Sequence, residues 1–219
     1  MAKYAIGVDD ATRCPVIGSL VVCAIKIPRK DLRELLELGI KDSKQLTRKQ
    51  RERWKDLFVE REYEHHYMLI KPSLLDSDNL NDLECEAYYE LIAELDPKNS
   101  TVYIDNFERD REHFVRRAAM LGYYIPDSWV IEHDADKKYP AVAAASIVAK
   151  CVSDEEYDLL KEKHGDFGSG NPNDKKTLKW ICEHPESEII RKKWKTYKWL
   201  EKHHFNYSEL EEINFDRKR

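Results

Sequence analysis

The chain has 219 residues, of which 42% are apolar and 11% aromatic, so it can bury a sizeable core and a wholly disordered chain is excluded. Lys and Arg total 37 against 42 Asp and Glu, a formal net charge of −5, which excludes a generic polycation. Any contact with nucleic acid must come from a local basic patch or from bound metal.

The predicted elements alternate. Tyr4–Val8 reads as a short buried strand ending at Asp9 and Asp10, and the β-branched run Ile17–Ile27 as a longer one. Asp31–Leu38 is a short helix, and Thr47 is placed to cap a helix through Glu60. Tyr63–Ile70 looks like a strand. Asn81 is read as the cap of a helix over Asp82–Leu95, stopped by Pro97. Thr101–Ile104 is a strand ending on Asp105. Glu108–Leu121 is helical and Tyr123–Glu132 extended. Pro140 opens a long helix through Lys163, rich in Ala early and in charge later. Gly165–Pro172 is a turn region, followed by helices around Lys175–Glu183 and Glu186–His203, with a polar, frayed tail after Phe205. Strands alternating with helices make this an α/β chain without internal repeats, and its last fifty residues are helix-only.

Mean hydropathy is −0.72, and no stretch approaches the ~20 apolar residues of a membrane span, so no membrane association is expected. No signal peptide is expected, since Met1-Ala2-Lys3-Tyr4 runs straight into a strand-like segment. The five cysteines, Cys14, Cys23, Cys85, Cys151 and Cys182, are odd in number and lack C-x-x-C spacing. Free thiols and a cytoplasmic location follow as expectations. Zinc is not expected, since no H-E-x-x-H occurs and the pairs His65-His66 and His203-His204 point apart.

Three acidic positions share one context. Asp9 with Asp10, Asp105, and Asp136 with Asp134 each lie at or just beyond a strand end. Carboxylates there can converge across a sheet. Such a cluster repels itself unless hard cations with oxygen ligands, Mg²⁺ or Mn²⁺, neutralise it. Two such ions can drive phosphodiester cleavage. For any one of these residues alone, ordinary turn chemistry is the simpler reading.

The surrounding residues make the pattern specific. Residues 7–18, G-V-D-D-A-T-R-C-P-V-I-G, resemble the G-[IV]-D-E-A-G-R-G-P-V-[IL]-G opening of type 2 ribonucleases H. Residues 41–47, K-D-S-K-Q-L-T, resemble that family's K-D-S-K-x-L-[ST], and Tyr103-Ile104-Asp105 its third acidic strand. Residues 133–150 resemble its H-K-A-D-x-x-Y-P helix opening, residues 165–172 its G-x-x-G-S-G-Y-P turn, and Arg191 with Trp194-Lys195-Thr196 a late R-x-x-W-K-T. The blocks run in family order, and their wording is most similar to archaeal ribonuclease HII.

The resemblance implies a ribonuclease H-like mixed β-sheet flanked by helices over 1–168, with a helical substrate-binding subdomain over 169–219. It implies two-metal endonucleolytic hydrolysis of the RNA strand of RNA–DNA hybrids, giving 5′-phosphate and 3′-hydroxyl ends, by a protein read as a monomer. Asp9, Asp10, Asp105 and Asp136 take the four metal positions, with Mg²⁺ or Mn²⁺ as cofactor. Thr12, Arg13 and Cys14 take the Gly-Arg-Gly segment that approaches the ribonucleotide. Ser43, Lys44, Ser146 and Lys150 would lie near substrate, with Asn171, Arg191 and Lys195 further contacts.

Four positions depart from the family pattern. Asp10 replaces Glu and is one methylene shorter, ~1.5 Å. Thr12 and Cys14 replace both glycines, which permit positive φ and close backbone approach. Asn171 replaces a Tyr that stacks on the sugar at the RNA–DNA junction. Asp134 replaces a Lys, and on an extended segment it would face the same side as Asp136. Impaired recognition of a single embedded ribonucleotide is therefore expected. From Arg191 to Lys202 there are six Lys/Arg and one Glu, interleaved with Trp194, Tyr197 and Trp199. Trp194 and Tyr197 are expected to pack, while Arg191, Lys192, Lys193, Lys195 and Lys198 divide between solvent and phosphate. Two readings stand: a metal-dependent endoribonuclease, and a hybrid-binding homologue of the same fold with weakened catalysis. The four carboxylates favour the first; the lost glycines and Tyr favour the second.

Overall fold

Alternation of apolar residues builds a mixed five-stranded sheet in the order β3-β2-β1-β4-β5. The strands are β1 (Tyr4–Ala11), β2 (Leu20–Pro28), β3 (Glu64–Ile70), β4 (Ser100–Asp105) and β5 (Val130–Glu132). β1 pairs antiparallel with β2, and β2 with β3; β1 pairs parallel with β4, and β4 with β5. The computed structural model describes residues 2–40 and 43–206.

Helices cover both faces. They are α1 (Leu32–Glu37), α2 (Arg48–Glu60), α3 (Pro72–Ser77), α4 (Leu80–Glu94), α5 (Arg111–Met120), α6 (Ala135–Lys138), α7 (Pro140–His164), α8 (Lys175–Glu183) and α9 (Lys195–Lys202). Ala5, Ala11, Val21, Cys23, Ile25 and Ile27 meet α7 through its alanines. Ile6, Val8, Val22 and Ala24 meet α4 and α5 on the opposite face. A third cluster joins Val16 and Ile17 to Phe167, Leu178, Ile181, Ile190, Tyr197 and Leu200.

Gly7 fixes how closely α7 approaches. A Cβ there would lie 2.1 Å from the carbonyl carbon and oxygen of Ala141. The missing side chain lets the first turn of α7 pass directly over β1, which brings Ser146 against the strand end.

Several elements form as the sequence predicts. Thr47 caps α2 in a reciprocal box with Gln50. Proline opens α7, and Gly165, Gly168 and Gly170 all take positive φ in the turn after it. Other boundaries move. β2 begins at Leu20 rather than Ile17, because Gly18 turns the chain at φ +83 and Ile17 instead bridges Ile190. The helix expected from Glu186 shortens to α9, because Ile190 bridges Ile17 and the backbone of 189–191 hydrogen-bonds to Val16 and Gly18, burying Ile189 and Ile190. Asn79, not Asn81, caps α4, accepting from the amides of Asn81 and Asp82. Asp110 caps α5, so it starts at Arg111. Within Tyr123–Glu132 only β5 is strand, and α3 and α6 are short helices that periodicity does not reveal. Lys41, Asp42 and the tail from residue 207 lie outside the described residues. Among the described residues no helix is long and apolar enough to cross a membrane.

Candidate active site

β1 and β4 run parallel with Val8 opposite Ile104, so the residues that follow, Asp9 and Asp105, emerge side by side at the carboxyl ends of the two strands. The two-residue period gives both to the α7 face, the face of Ala5, Ala11 and Tyr103. Asp10, one residue on, belongs to the α4 face, where the Tyr88 hydroxyl lies against it.

Each carboxylate is held by its surroundings. Asp9 is 5% exposed; the amide of Asp10 donates to its Oδ1 at 2.7 Å. Burial raises its pKa well above the usual carboxylate value, and the charges of Asp10 and Asp105 raise it further, against the opposing effect of the Ser146 hydroxyl. Asp105 accepts from the Ala135 amide at 2.8 Å. Its pKa is also raised, by burial, then by the charges of Asp10 and Asp134, against that amide and Lys44. Burial raises Asp10 too, opposed by Arg13, Lys44, Tyr88 and Arg191. The bond to Ala135 anchors the first turn of α6, which carries Asp136, a buried residue at 5% exposure.

Asp134 departs from expectation. It is not on an extended segment but takes a left-handed conformation, φ 54, that starts the turn into α6. Its carboxylate pairs with Lys137 at 2.6 Å, which lowers its pKa, and faces solvent rather than pointing with Asp136.

Among the described residues, no three His, Cys, Asp or Glu side chains stand close enough to form a ready-made metal site. The donor set still fits a hard divalent cation. It consists of carboxylates alone; burial raises the pKa values of Asp9, Asp10 and Asp105, and neighbouring carboxylates raise those of Asp9 and Asp105 further. Asp9, Asp10, Asp105 and Asp136 are the residues that would hold such an ion.

Around this cluster the Ser43 and Ser146 hydroxyls meet at 3.0 Å, so Asp9, Ser146 and Ser43 form a polar row. Lys44 is exposed beside them and close enough to influence Asp10 and Asp105. Lys150, one helical turn beyond Ser146, pairs along α7 with Asp154 at 3.1 Å, and Arg51 shares Asp154 at 2.5 Å.

The segment after β1 keeps the backbone shape that glycine would give. Thr12 has φ 64 despite its β-branch, and its hydroxyl donates to the Ser19 carbonyl at 2.7 Å. The Arg13 side chain turns inward. It pairs with fully buried Glu84, donates to Asn81 Oδ1 at 2.5 Å, and lies 5.0 Å from the Phe107 ring centre. Cys14 is exposed. Among the described residues, the amides of Thr12, Arg13 and Cys14 donate to no protein acceptor.

Arg191 does not divide between solvent and phosphate as the sequence suggests. It is 0% exposed, and burial pushes its pKa down to about 10. Its helix is displaced by the pairing of 189–191 with 16–18, and that pairing draws the guanidinium inward. Trp194 is half-buried and Tyr197 buried, while Lys193, Lys195 and Lys198 are exposed. Lys195 and Lys193 line an open groove with Trp194, Leu75 and Asn79. Asn171 is exposed in the glycine turn and donates through its side chain to Ser169 Oγ at 3.2 Å.

Sequence reasoning missed Asn81, Glu84 and Tyr88 as site neighbours. They fall at i, i+3 and i+7 of α4, so one face of that helix carries a polar stripe toward Asp10 and Arg13. A buried-face Glu in an otherwise apolar row was the available signal.

The Ribonuclease HII family model matches residues 6–197. Ribonuclease HII of Pyrococcus abyssi is 38% identical over 217 residues, covering 95% of this chain and 96% of that protein. The crystal structure of ribonuclease H2 from Pyrococcus horikoshii is 34% identical, with a TM-score of 0.81, over 93% of this chain and 99% of that one. Ribonuclease HII of Archaeoglobus fulgidus, solved as a complex with PCNA, is 35% identical with a TM-score of 0.73, over 88% and 94%. On the sheet order, the paired strand-end carboxylates and these matches together, the chain belongs to the ribonuclease HII family.

Proposed function

We propose that this chain is an endoribonuclease that hydrolyses the RNA strand of RNA–DNA hybrids and leaves 5′-phosphate and 3′-hydroxyl ends. The observation that carries the reading is the emergence of Asp9 and Asp105 side by side at the ends of two parallel strands, where the Asp105 charge adds to the cost of ionising buried Asp9. A self-repelling acidic site facing a polyanion makes sense only with cations between them. Two bound Mg²⁺ or Mn²⁺ ions would supply activation of water for attack on phosphorus and neutralisation of the leaving 3′-oxygen.

The chain's own residues do the rest. Ala135 and Ser146 fix the orientations of Asp105 and Asp9. Lys44 offers a positive charge beside the acidic cluster where a phosphate would approach. The amides of Thr12, Arg13 and Cys14 form a row of donors on the loop that would meet a ribose 2′-hydroxyl. Lys193 and Lys195 extend the basic surface along the groove beside Trp194, which supports a substrate-binding role for the C-terminal helical segment. Positive φ at Thr12 supports retained loop geometry despite the missing glycine. Asn171 offers no aromatic face for a junction sugar, so single embedded ribonucleotides are the poorer substrate.

A second reading, a hybrid-binding homologue with weakened catalysis, is favoured by one observation: short Asp10 lies on the α4 face beside Tyr88 rather than with Asp9 and Asp105. The test is cleavage of a uniform hybrid and of a duplex with one ribonucleotide, each with Mg²⁺, Mn²⁺ or chelator, with Asp105→Asn as control. Metal-dependent cleavage lost in the control supports the enzyme. Tight, salt-sensitive hybrid binding without metal-dependent cleavage supports the second reading.

A further inference from the structure

The segment from Thr12 to Gly18 leaves the sheet at the end of β1 and returns to it at β2. Its carbonyl oxygens are gripped from one side by two residues far along the chain. The Arg191 amide donates to Val16 O at 2.8 Å, Arg191 Nε to Gly18 O at 2.6 Å, and Arg191 Nη1 to Arg13 O at 3.2 Å. Trp194 Nε1 donates to Cys14 O at 3.3 Å. Two loop amides are taken up as well, Val16 by Gly170 O at 2.8 Å and Gly18 by Ile189 O at 2.9 Å. The Arg191 guanidinium also lies 5.0 Å from the Trp194 ring centre, so the two grips brace each other.

A fully buried guanidinium is a costly way to fill space, since an apolar side chain of similar volume would pack without desolvating a charge. What it alone provides is a rigid planar fork with several donors, able to hold two carbonyls at a fixed separation. The carbonyls it holds are those of Arg13 and Gly18, on either side of the exposed tip at Cys14. The amides of Thr12, Arg13 and Cys14 donate to no protein acceptor among the described residues and so remain available as donors.

We propose that Arg191 is a positioning residue for substrate reading: its guanidinium, braced by Trp194, sets the conformation of the loop over residues 12–18 and so aims the loop amides at the ribose. This rests on the reading above that the loop faces the RNA strand of a hybrid. It assigns Arg191 no contact with substrate, in contrast to the basic residues around it. A lysine cannot replace it, because one ammonium cannot span both carbonyls in a fixed plane.

The test compares wild type with Arg191→Lys, Arg191→Met and Trp194→Phe, the last keeping the ring under the guanidinium but losing the bond to Cys14. Two readouts are taken: hydrogen exchange of peptides covering residues 12–18 without nucleic acid, and steady-state cleavage of a uniform RNA–DNA hybrid. Expected are loop exchange about tenfold faster in both Arg191 variants, with a smaller rise in Trp194→Phe, and KM for the hybrid raised about tenfold with kcat within about twofold of wild type. A purely structural role would lower kcat through a reduced folded fraction and leave KM alone, and that pattern overturns the proposal. Unchanged loop exchange in both Arg191 variants overturns it whatever the kinetics. Faster exchange with unchanged KM also overturns it, by showing that a loosened loop does not matter to substrate. If wild type cleaves no hybrid, the proposed function fails instead, and hybrid affinity of the same variants decides the positioning role.

Discussion

Asp105 accepts the Ala135 amide at 2.8 Å and thereby ties the last residue of β4 to the first residue of α6, the turn that carries Asp136. One carboxylate thus serves as a strand-end acid and as the anchor of the next acidic residue. Asp105→Asn keeps an acceptor oxygen for that amide and removes the charge. The variant should therefore keep its fold and lose cleavage by at least about 10²-fold. Cleavage assays paired with circular dichroism check it; a variant that unfolds would show that the charge, not the oxygen, anchors α6.

The acidic cluster sets a pH dependence whose sign follows from its raised pKa values. Asp9 and Asp105 ionise less readily when folded than at their ordinary value of 3.8. The folded state thus holds more protons than the unfolded one between those values, and stability from these groups is full below the unfolded pKa and is lost as pH rises through the folded one. Surface pairs such as Asp110 with His113 act in the opposite sense, so the informative quantity is a difference between proteins. In chelator, Asp9→Asn should match wild type near about pH 4 and become progressively more stable than it toward neutrality. Mn²⁺ should stabilise wild type at neutral pH and do little for the variant. Thermal melts across pH, with and without Mn²⁺, measure both; a wild type that gains stability over Asp9→Asn with rising pH in chelator contradicts the cluster's electrostatics.

Thr12 shows a β-branched residue holding a glycine-like conformation. At φ 64 it is strained, and its hydroxyl bond to Ser19 O at 2.7 Å offsets that strain. Thr12→Val keeps the strain and loses the bond, and should cost about 1–2 kcal/mol. Thr12→Gly loses both and should be close to neutral. Urea denaturation of the two variants decides; equal losses would mean that the left-handed backbone at residue 12 carries no strain, since both variants lack the hydroxyl.

Much of the fold was legible in the sequence because its signals are local. Thr47 and Gln50 form their capping box, Pro140 opens the long helix, and the strands preceding Asp9 and Asp105 read from their β-branched runs. The strand-end carboxylates could be named, but their meeting depends on the parallel register of β1 with β4, which no local pattern encodes. Arg191 was misread for the same reason. In the sequence it belongs to a basic, amphipathic stretch, and only the bridge between Ile17 and Ile190, two elements far apart in the chain, turns it inward. Asp134 was misplaced because a left-handed turn, not an extended strand, precedes α6.

Glu84 and Arg13 form an ion pair in which Glu84 is fully buried and Arg13 partly so. Removing one partner should cost more than removing both. Glu84→Gln leaves the guanidinium short of its counter-charge and should destabilise by about 3 kcal/mol. Adding Arg13→Met to that background should recover part of the loss. A double-mutant cycle by chemical denaturation measures the coupling; additive losses would mean that the pair contributes no specific interaction.

Asp10 is the position where a single change should raise activity. Its carboxylate starts on the α4 face, where burial raises its pKa against the lowering effects of Arg13, Lys44 and Tyr88. Asp9 and Asp105 lie on the other face, so an ion between them is reached from Asp10 only around the strand end. Asp10→Glu adds one methylene, a reach of ~1.5 Å. The longer acid should tighten Mn²⁺ binding and raise kcat about three- to tenfold, with KM for hybrid unchanged because the loop over residues 12–18 is untouched. Mn²⁺ titration by calorimetry and steady-state cleavage test the two parts separately. If Asp10→Glu binds Mn²⁺ no better and cleaves no faster, then Asp10 is already within reach of the ion, and the α4-facing placement does not limit the site.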